Sequence, residues 1–219
     1  MRILVLGDIH FPFVDTHALS TAIEFAKKYK PDRIIQVGDF IDSYNWSLYK
    51  RAPDSPSADA EWNQTELLAH RFFKALDKFP LTILEGNHCR RHMLRAFEAN
   101  LPKRLIRLLP EIFPYENVTW HMQPTPLVVD NIAFIHGDEM GGTAAQKAKT
   151  LGNSLVQGHT HQASITFINT FHHQIFSMEV GCLMDGSSIA GRYAAKIPHR
   201  MWLGLATITD GHPNLRSLR

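Results

Sequence analysis

Apolar and polar positions follow two periods along this chain. Residues 2–7 (RILVLG) form a short β-branched apolar run closed by glycine, the pattern of a buried strand. Residues 16–29 place Ala18, Ala22, Ile23, Phe25 and Ala26 at helical spacing, with Thr16 as the expected N-cap and Pro31 marking the exit. Strands are expected again at 33–37 and 81–85, and this strand, helix, strand order predicts a right-handed parallel crossover. Residues 42–60 are broken by Pro53, Ser55, Pro56 and Ser57. Helical periodicity returns over 61–78, where Leu67, Leu68, Phe72, Ala75 and Leu76 would face a core. Residues 90–109 read as a basic helix divided by Pro102.

The second half changes character. Residues 126–135, 154–157, 164–170, 173–180 and 203–209 read as strands, and only 143–151 as a clear helix. Helices mixed early with strands late predict an α/β chain of two packed sheets flanked by helices. The 219 residues are 44% hydrophobic and 20% charged, enough for one large domain without requiring two. One domain over 1–219 is expected, with 42–80 as a cap-like insertion and 181–202 as a rim loop.

Charge and cysteines narrow the setting. A net charge of +2 is too weak to argue for nucleic acid by itself. Cys89 and Cys182 make no C-x-x-C pair, and a disulfide at Cys89 would be awkward beside the polar cluster that precedes it. The N-terminal run is too short for a signal peptide, and no stretch approaches a membrane span of about 20 apolar residues. A cytoplasmic protein without membrane partners is the expectation.

Five polar clusters each follow an apolar run: Asp8-Ile9-His10, Gly38-Asp39, Gly86-Asn87-His88, His136-Gly137-Asp138 and Gly158-His159-Thr160-His161. In parallel sheets, ligands gather beyond the carboxyl ends of strands. Residues two apart on extended backbone share a face, so Asp8 with His10, and His159 with His161, can each direct two ligands into one cavity. Glycines 38, 86, 137 and 158 allow sharp turns or close approach to a phosphate. Carboxylates, an amide oxygen and imidazoles suit two adjacent divalent ions and phosphoester hydrolysis. Manganese is the first expectation; iron, zinc, cobalt and nickel stay open.

The series D-x-H, G-D, G-N-H, H and G-H-x-H resembles the calcineurin-like metallophosphoesterase superfamily over residues 8–161. The resemblance implies an αββα sandwich with a dinuclear centre on one rim. One ion would take Asp8, His10 and His161; the other Asn87, His136 and His159; Asp39 would bridge both. It also implies that a water shared by the ions is the nucleophile, and that His88 lies near the leaving oxygen as general acid or electrostatic partner. Asp138 reads either as orienting a metal-bound histidine or as a turn carboxylate. Cysteine at 89 departs from the acidic residue common after G-N-H, which puts the tuning of His88 in doubt.

The substrate is less legible. Gly38-Asp39 continues as Phe-Ile-Asp-Ser-Tyr, unlike the arginine-bearing segment of phosphoprotein phosphatases, so protein dephosphorylation is disfavoured. Arg90 and Arg91 are the expected substrate contacts. Tyr44, Trp46 and Tyr49 are candidates for stacking on a base, and Arg192, Tyr193, Lys196, His199 and Arg200 for the rim. His70, His121, His172, His173 and His212 read as ordinary. The expected activity is a phosphodiesterase on nucleotide or nucleic-acid esters, a DNA nuclease among them. A nucleotide phosphomonoesterase or pyrophosphatase and a binding scaffold are the alternatives.

Overall fold

Alternation along the first strand decides the layering. In β1 (Arg2–Leu6), Ile3 and Val5 enter one apolar cluster while Leu4 and Leu6 enter another on the opposite face. A strand buried on both faces needs cover on both. A computed structural model supplies it and describes residues 1–122, 124–192 and 201–219. Tyr193, Lys196, His199 and Arg200 lie outside the described residues.

The first sheet joins β1 to β2 (Arg33–Gln36), β3 (Leu81–Leu84), β4 (Val118–His121), β10 (Gly204–Thr209) and β11 (His212–Ser217), in the order β11-β10-β1-β2-β3-β4. The β1 to β4 pairings are parallel and those of β10 antiparallel. The second sheet comprises β5 (Leu127–Val129), β6 (Ile132–Ile135), β7 (Ser154–Gln157), β8 (Ala163–Asn169) and β9 (Gln174–Val180), in the order β5-β6-β7-β9-β8. Ile3, Val5, Ile35 and Ala206 from one sheet meet Phe134, Val156, Met178 and Val180 from the other.

Helices α1 (Thr16–Tyr29) and α2 (Ala58–Ala75) cover the outer face of the first sheet through Ala18, Ala22, Ala69, Phe72 and Phe73. The short helices α3 (Arg91–Glu98) and α4 (Leu109–Ile112) follow β3, and α5 (Ala144–Leu151) covers the second sheet through Ala148. The result is the expected αββα sandwich of two mixed sheets.

Several expectations need correction. Asp15, not Thr16, caps α1: its Oδ1 accepts from the Ala18 amide at 2.9 Å. Helix α2 starts earlier than periodicity indicated because Ser57 caps it at the Ala60 amide. It turns Ala69 and Phe73 inward and leaves Leu67 44% exposed. Only 91–98 of the basic stretch is α-helix; Asn100, in left-handed backbone, follows its end, and a single 3-10 turn spans 103–105. Residues 126–135 are two strands, because Asp130 and Asn131 (φ 51° and 60°) form a tight hairpin turn. Strands β4 and β11 escaped notice because VTWH is short and HPNLRS is polar.

Phe40 follows Asp39 directly and anchors an aromatic cluster, with ring centroids 5.7 Å from Phe72, 5.2 Å from Phe73 and 5.7 Å from Trp120. Phe72→Ala is expected to cost about 3–5 kcal/mol of folding stability, measured by urea denaturation.

Candidate metal centre

All five clusters leave the carboxyl ends of β1, β2, β3, β6 and β7, and they meet where the two sheets adjoin. Much of their backbone is unusual. His10, Asp39, His159 and His161 have φ of 55°, 48°, 67° and 56°. Left-handed backbone at non-glycine residues costs roughly 1–3 kcal/mol each and gathers at functional sites. Glycine is needed where ligands crowd the chain. A Cβ on Gly158 would stand 2.3 Å from Asp8 Oδ1, and one on Gly38 (φ 102°) 2.3 Å from His136 Nδ1. These two glycines make room for neighbouring donor side chains, rather than for a phosphate.

Two donor sets form. In the first, His161 Nε2 lies 3.0 Å from Asp8 Oδ2 and 3.1 Å from His10 Nε2. In the second, His136 Nε2 lies 2.9 Å from Asn87 Oδ1, 3.2 Å from Asp39 Oδ2 and 3.2 Å from His159 Nδ1. Asp39 Oδ2 is also 3.8 Å from His10 Nε2, so its carboxylate lies between the sets. Backbone amides hold both carboxylates: His159 N donates to Asp8 Oδ2 at 2.8 Å and His88 N to Asp39 Oδ1 at 2.8 Å.

The tautomers test whether a cation fits. His136 Nδ1 faces the Val37 carbonyl at 3.0 Å, which only accepts, so Nδ1 carries the proton. In the neutral ring Nε2 is then a lone pair facing other acceptors. One proton can serve only one of those contacts, whereas a divalent ion serves them all. Ions with bonds of about 2.1 Å bring neighbouring donors to roughly 3 Å of one another. Burial acts against the charged form of His136, but Asp39 and Asp8 outweigh it and push its pKa up to about 10. Burial also opposes ionisation of Asp39, yet His136, His88 and His10 hold its pKa well below the usual carboxylate range. The site is built around buried negative charge, and its donors fit divalent metal.

Sequence reading missed Asp42, which is 1% exposed. Its Oδ2 accepts from His10 Nδ1 at 2.8 Å, which turns the His10 Nε2 lone pair toward the first set. His88 Nδ1 donates to the Asp42 carbonyl at 3.0 Å and lies 3.4 Å from its carboxylate. The acid missing at position 89 is thus supplied from another loop. Cys89 itself is buried, which with Asp39 pushes its thiol up to about 12, far from a nucleophile. Also missed was a buried network behind the second set. Lys147 Nζ donates to the Gly137 carbonyl at 2.6 Å and to Gln157 Oε1 at 3.0 Å. Glu179 accepts from Gln157 at 3.4 Å and from Thr160 at 2.9 Å. The only signals were a lysine on an apolar helix face and a polar residue ending each of two strands.

The expected substrate contacts separate. Arg91 Nη2 donates to His88 Nε2 at 2.9 Å and lines the cavity above the donor sets. Arg90 pairs with Asp138, joining the loops after β3 and β6.

The family model for calcineurin-like phosphoesterases matches residues 1–149. The chain belongs to the calcineurin-like phosphoesterase family. It is accordingly a metal-dependent phosphoester hydrolase. Gene 54 protein of Mycobacterium phage D29 is 27% identical, over 96% of this chain and 90% of its own length. Gene 54 protein of Mycobacterium phage L5 is 25% identical, over 84% and 80%. Among solved structures, the phosphoesterase YfcE from E. coli has a TM-score of 0.48 at 13% identity, covering 100% of this chain and 94% of its own. Vacuolar protein sorting 29 from Cryptosporidium parvum has a TM-score of 0.47 at 16% identity, covering 98% and 95%. The family match ends before His159 and His161, whose convergence with the other donors is a matter of geometry.

Asp42→Asn is expected to leave the circular dichroism spectrum unchanged and to weaken Mn²⁺ binding by about 10- to 100-fold, read by isothermal titration calorimetry.

Proposed function

We propose that this calcineurin-like phosphoesterase is a phosphodiesterase acting on nucleotide or nucleic-acid esters, with two divalent ions, manganese first among them. The observation that carries the reading is the pair of donor sets with the Asp39 carboxylate between them. Asp8, His10 and His161 would hold one ion, and Asn87, His136 and His159 the other. Bound there, the ions would supply Lewis acidity to the phosphoryl oxygens and acidify a shared water. The negative charge of Asp39 offsets the repulsion between two adjacent dications.

The chain's own residues account for the remainder. His88 is oriented by Asp42 and lies at the cavity floor, where it can protonate or stabilise a leaving oxygen. Arg91 sits beside it and is the cation that a phosphoryl oxygen would meet first. Arg90, tied to Asp138, acts by joining the two loops rather than by contacting substrate. The cavity of about 680 Å³ leaves room for substituents on both sides of a phosphorus atom, which favours a diester over a monoester. We read residues 1–219 as one domain, in which 42–57 borders the site while α2 belongs to the core. Both cysteines are free thiols, which supports a reducing, cytoplasmic setting. No helix among the described residues is long and apolar enough to cross a membrane.

The test is Mn²⁺-dependent hydrolysis of bis-p-nitrophenyl phosphate against p-nitrophenyl phosphate. Faster turnover of the diester is expected, with Asp39→Asn reducing it by more than about 100-fold, beyond the usual effect of losing a ligand's supporting partner. Faster turnover of the monoester would replace the reading with a phosphomonoesterase. Absence of both activities in protein that binds Mn²⁺ would favour the scaffold.

A further inference from the structure

The donor sets form only the floor of the 680 Å³ cavity. That volume falls within the range of about 300–1,000 Å³ typical of sites for one small molecule. Its walls come from two segments outside the five ligand loops. One wall is the stretch 44–52; the other includes Ile189, Ala190 and Arg192.

The first wall carries positive charge that nothing nearby neutralises. Among the described residues, neither Lys50 nor Arg51 forms an ion pair. Arg51 Nη1 donates to the neutral Asn45 Oδ1 at 2.5 Å, so its charge is not offset. Arg192 reaches across from the facing wall to Asp54 Oδ2 at 3.5 Å, with both side chains more than half exposed. A pair so exposed contributes little and does not lock the mouth shut.

The three aromatic residues of this wall differ in role. Tyr44 packs edge-on to Phe13 at 5.8 Å, and its hydroxyl accepts from the Ala52 amide at 3.0 Å. Trp46 packs edge-on to Trp62 at 6.2 Å. Both hold the wall together. Tyr49 is 81% exposed and lines the cavity next to the two unneutralised cations. A single exposed aromatic ring needs no explanation alone. Placed beside paired cations at the mouth of a site for phosphoesters, it forms a platform for a planar ring with a phosphate attached.

We infer that Tyr49, Lys50 and Arg51 form a nucleoside-phosphate subsite that receives one terminal nucleotide unit, with the base on Tyr49 and its phosphate on Lys50 and Arg51. The inference rests on the phosphodiesterase reading of the floor. The shared chemistry is a base and phosphate, brought either by a free nucleotide or by the end of a single strand. The cavity has no room for an uninterrupted duplex.

The experiment is equilibrium binding to the full chain in Mn²⁺, using adenosine 5′-monophosphate, a phosphorothioate-linked single-stranded trinucleotide, circular single-stranded DNA and inorganic phosphate. Tyr49→Ala should weaken trinucleotide binding by roughly 5- to 100-fold, the range for losing one stacked base, while affinity for inorganic phosphate holds. Lys50→Gln combined with Arg51→Gln should lower the slope of log affinity against log salt by about 0.7 per phosphate released. Mononucleotide binding equal to that of the trinucleotide would identify free nucleotides as the source. Tighter trinucleotide binding that circular DNA does not compete would identify strand ends. Unchanged trinucleotide affinity in both variants, or equal competition by circular DNA, would overturn the inference. Tyr49-dependent binding in a protein that does not hydrolyse bis-p-nitrophenyl phosphate would support the subsite and overturn only the diesterase reading.

Discussion

Burying Asp8 and Asp39 at the junction of two sheets is the constraint on which this molecule turns. Two carboxylates withdrawn from water carry a desolvation cost of several kcal/mol each unless charge and hydrogen bonds offset it. The chain meets part of that cost with backbone amides from His159 and His88. It meets more with imidazoles, whose protonated forms the carboxylates favour. Yet the imidazoles are themselves oriented by acceptors, Asp42 for His10 and the Val37 carbonyl for His136. Lone pairs then face lone pairs across about 3 Å, an arrangement that protons satisfy only partly and divalent cations satisfy in full.

This constraint explains why the site sits where it does. Parallel strands β1, β2, β3, β6 and β7 all end at one rim, so loops from both sheets can deliver ligands without long excursions. The amide bonds also tie loops in pairs: β1 to β7 through Asp8, and β2 to β3 through Asp39. Misplacing one loop therefore disturbs the carboxylate held by another. Phe40, next to Asp39, extends the coupling into the aromatic cluster beneath the first sheet. Ligand geometry and core packing are parts of one structure, since the backbone that carries Asp39 is pinned from both sides.

The sequence was most legible where function and local pattern coincide. Each ligand cluster is a few residues long and ends an apolar run, so strand and donor could be read together. Asp42 was missed because its importance lies in contacts to His10 and His88, 32 and 46 residues away. Lys147 was missed for the same reason: on α5 it looks like one polar interruption of an apolar face, and only the fold brings it to Gly137. Local chemistry also shifted elements. Ser57 started α2 before periodicity did, and Asp130-Asn131 cut one apolar run into a hairpin. Both errors come from side-chain caps and left-handed turns that outrank a hydrophobic period over a few residues.

Floor and walls of the cavity follow different rules. The floor is buried, rigidly hydrogen-bonded and made of residues whose spacing announces metal chemistry. The walls are exposed, irregular and held by Tyr44, Trp46 and a weak ion pair between Arg192 and Asp54. Chemistry that must hold charges within tenths of an ångström needs the first kind of structure. Selection among phosphoesters needs only that a ring and a charge arrive at the right distance from the floor. Loops tolerate change without loss of stability, so they are where such selection can vary. That division is why composition and spacing reveal the reaction class of this chain, whereas its substrate must be read from three adjacent residues, Tyr49, Lys50 and Arg51, that look unremarkable in sequence.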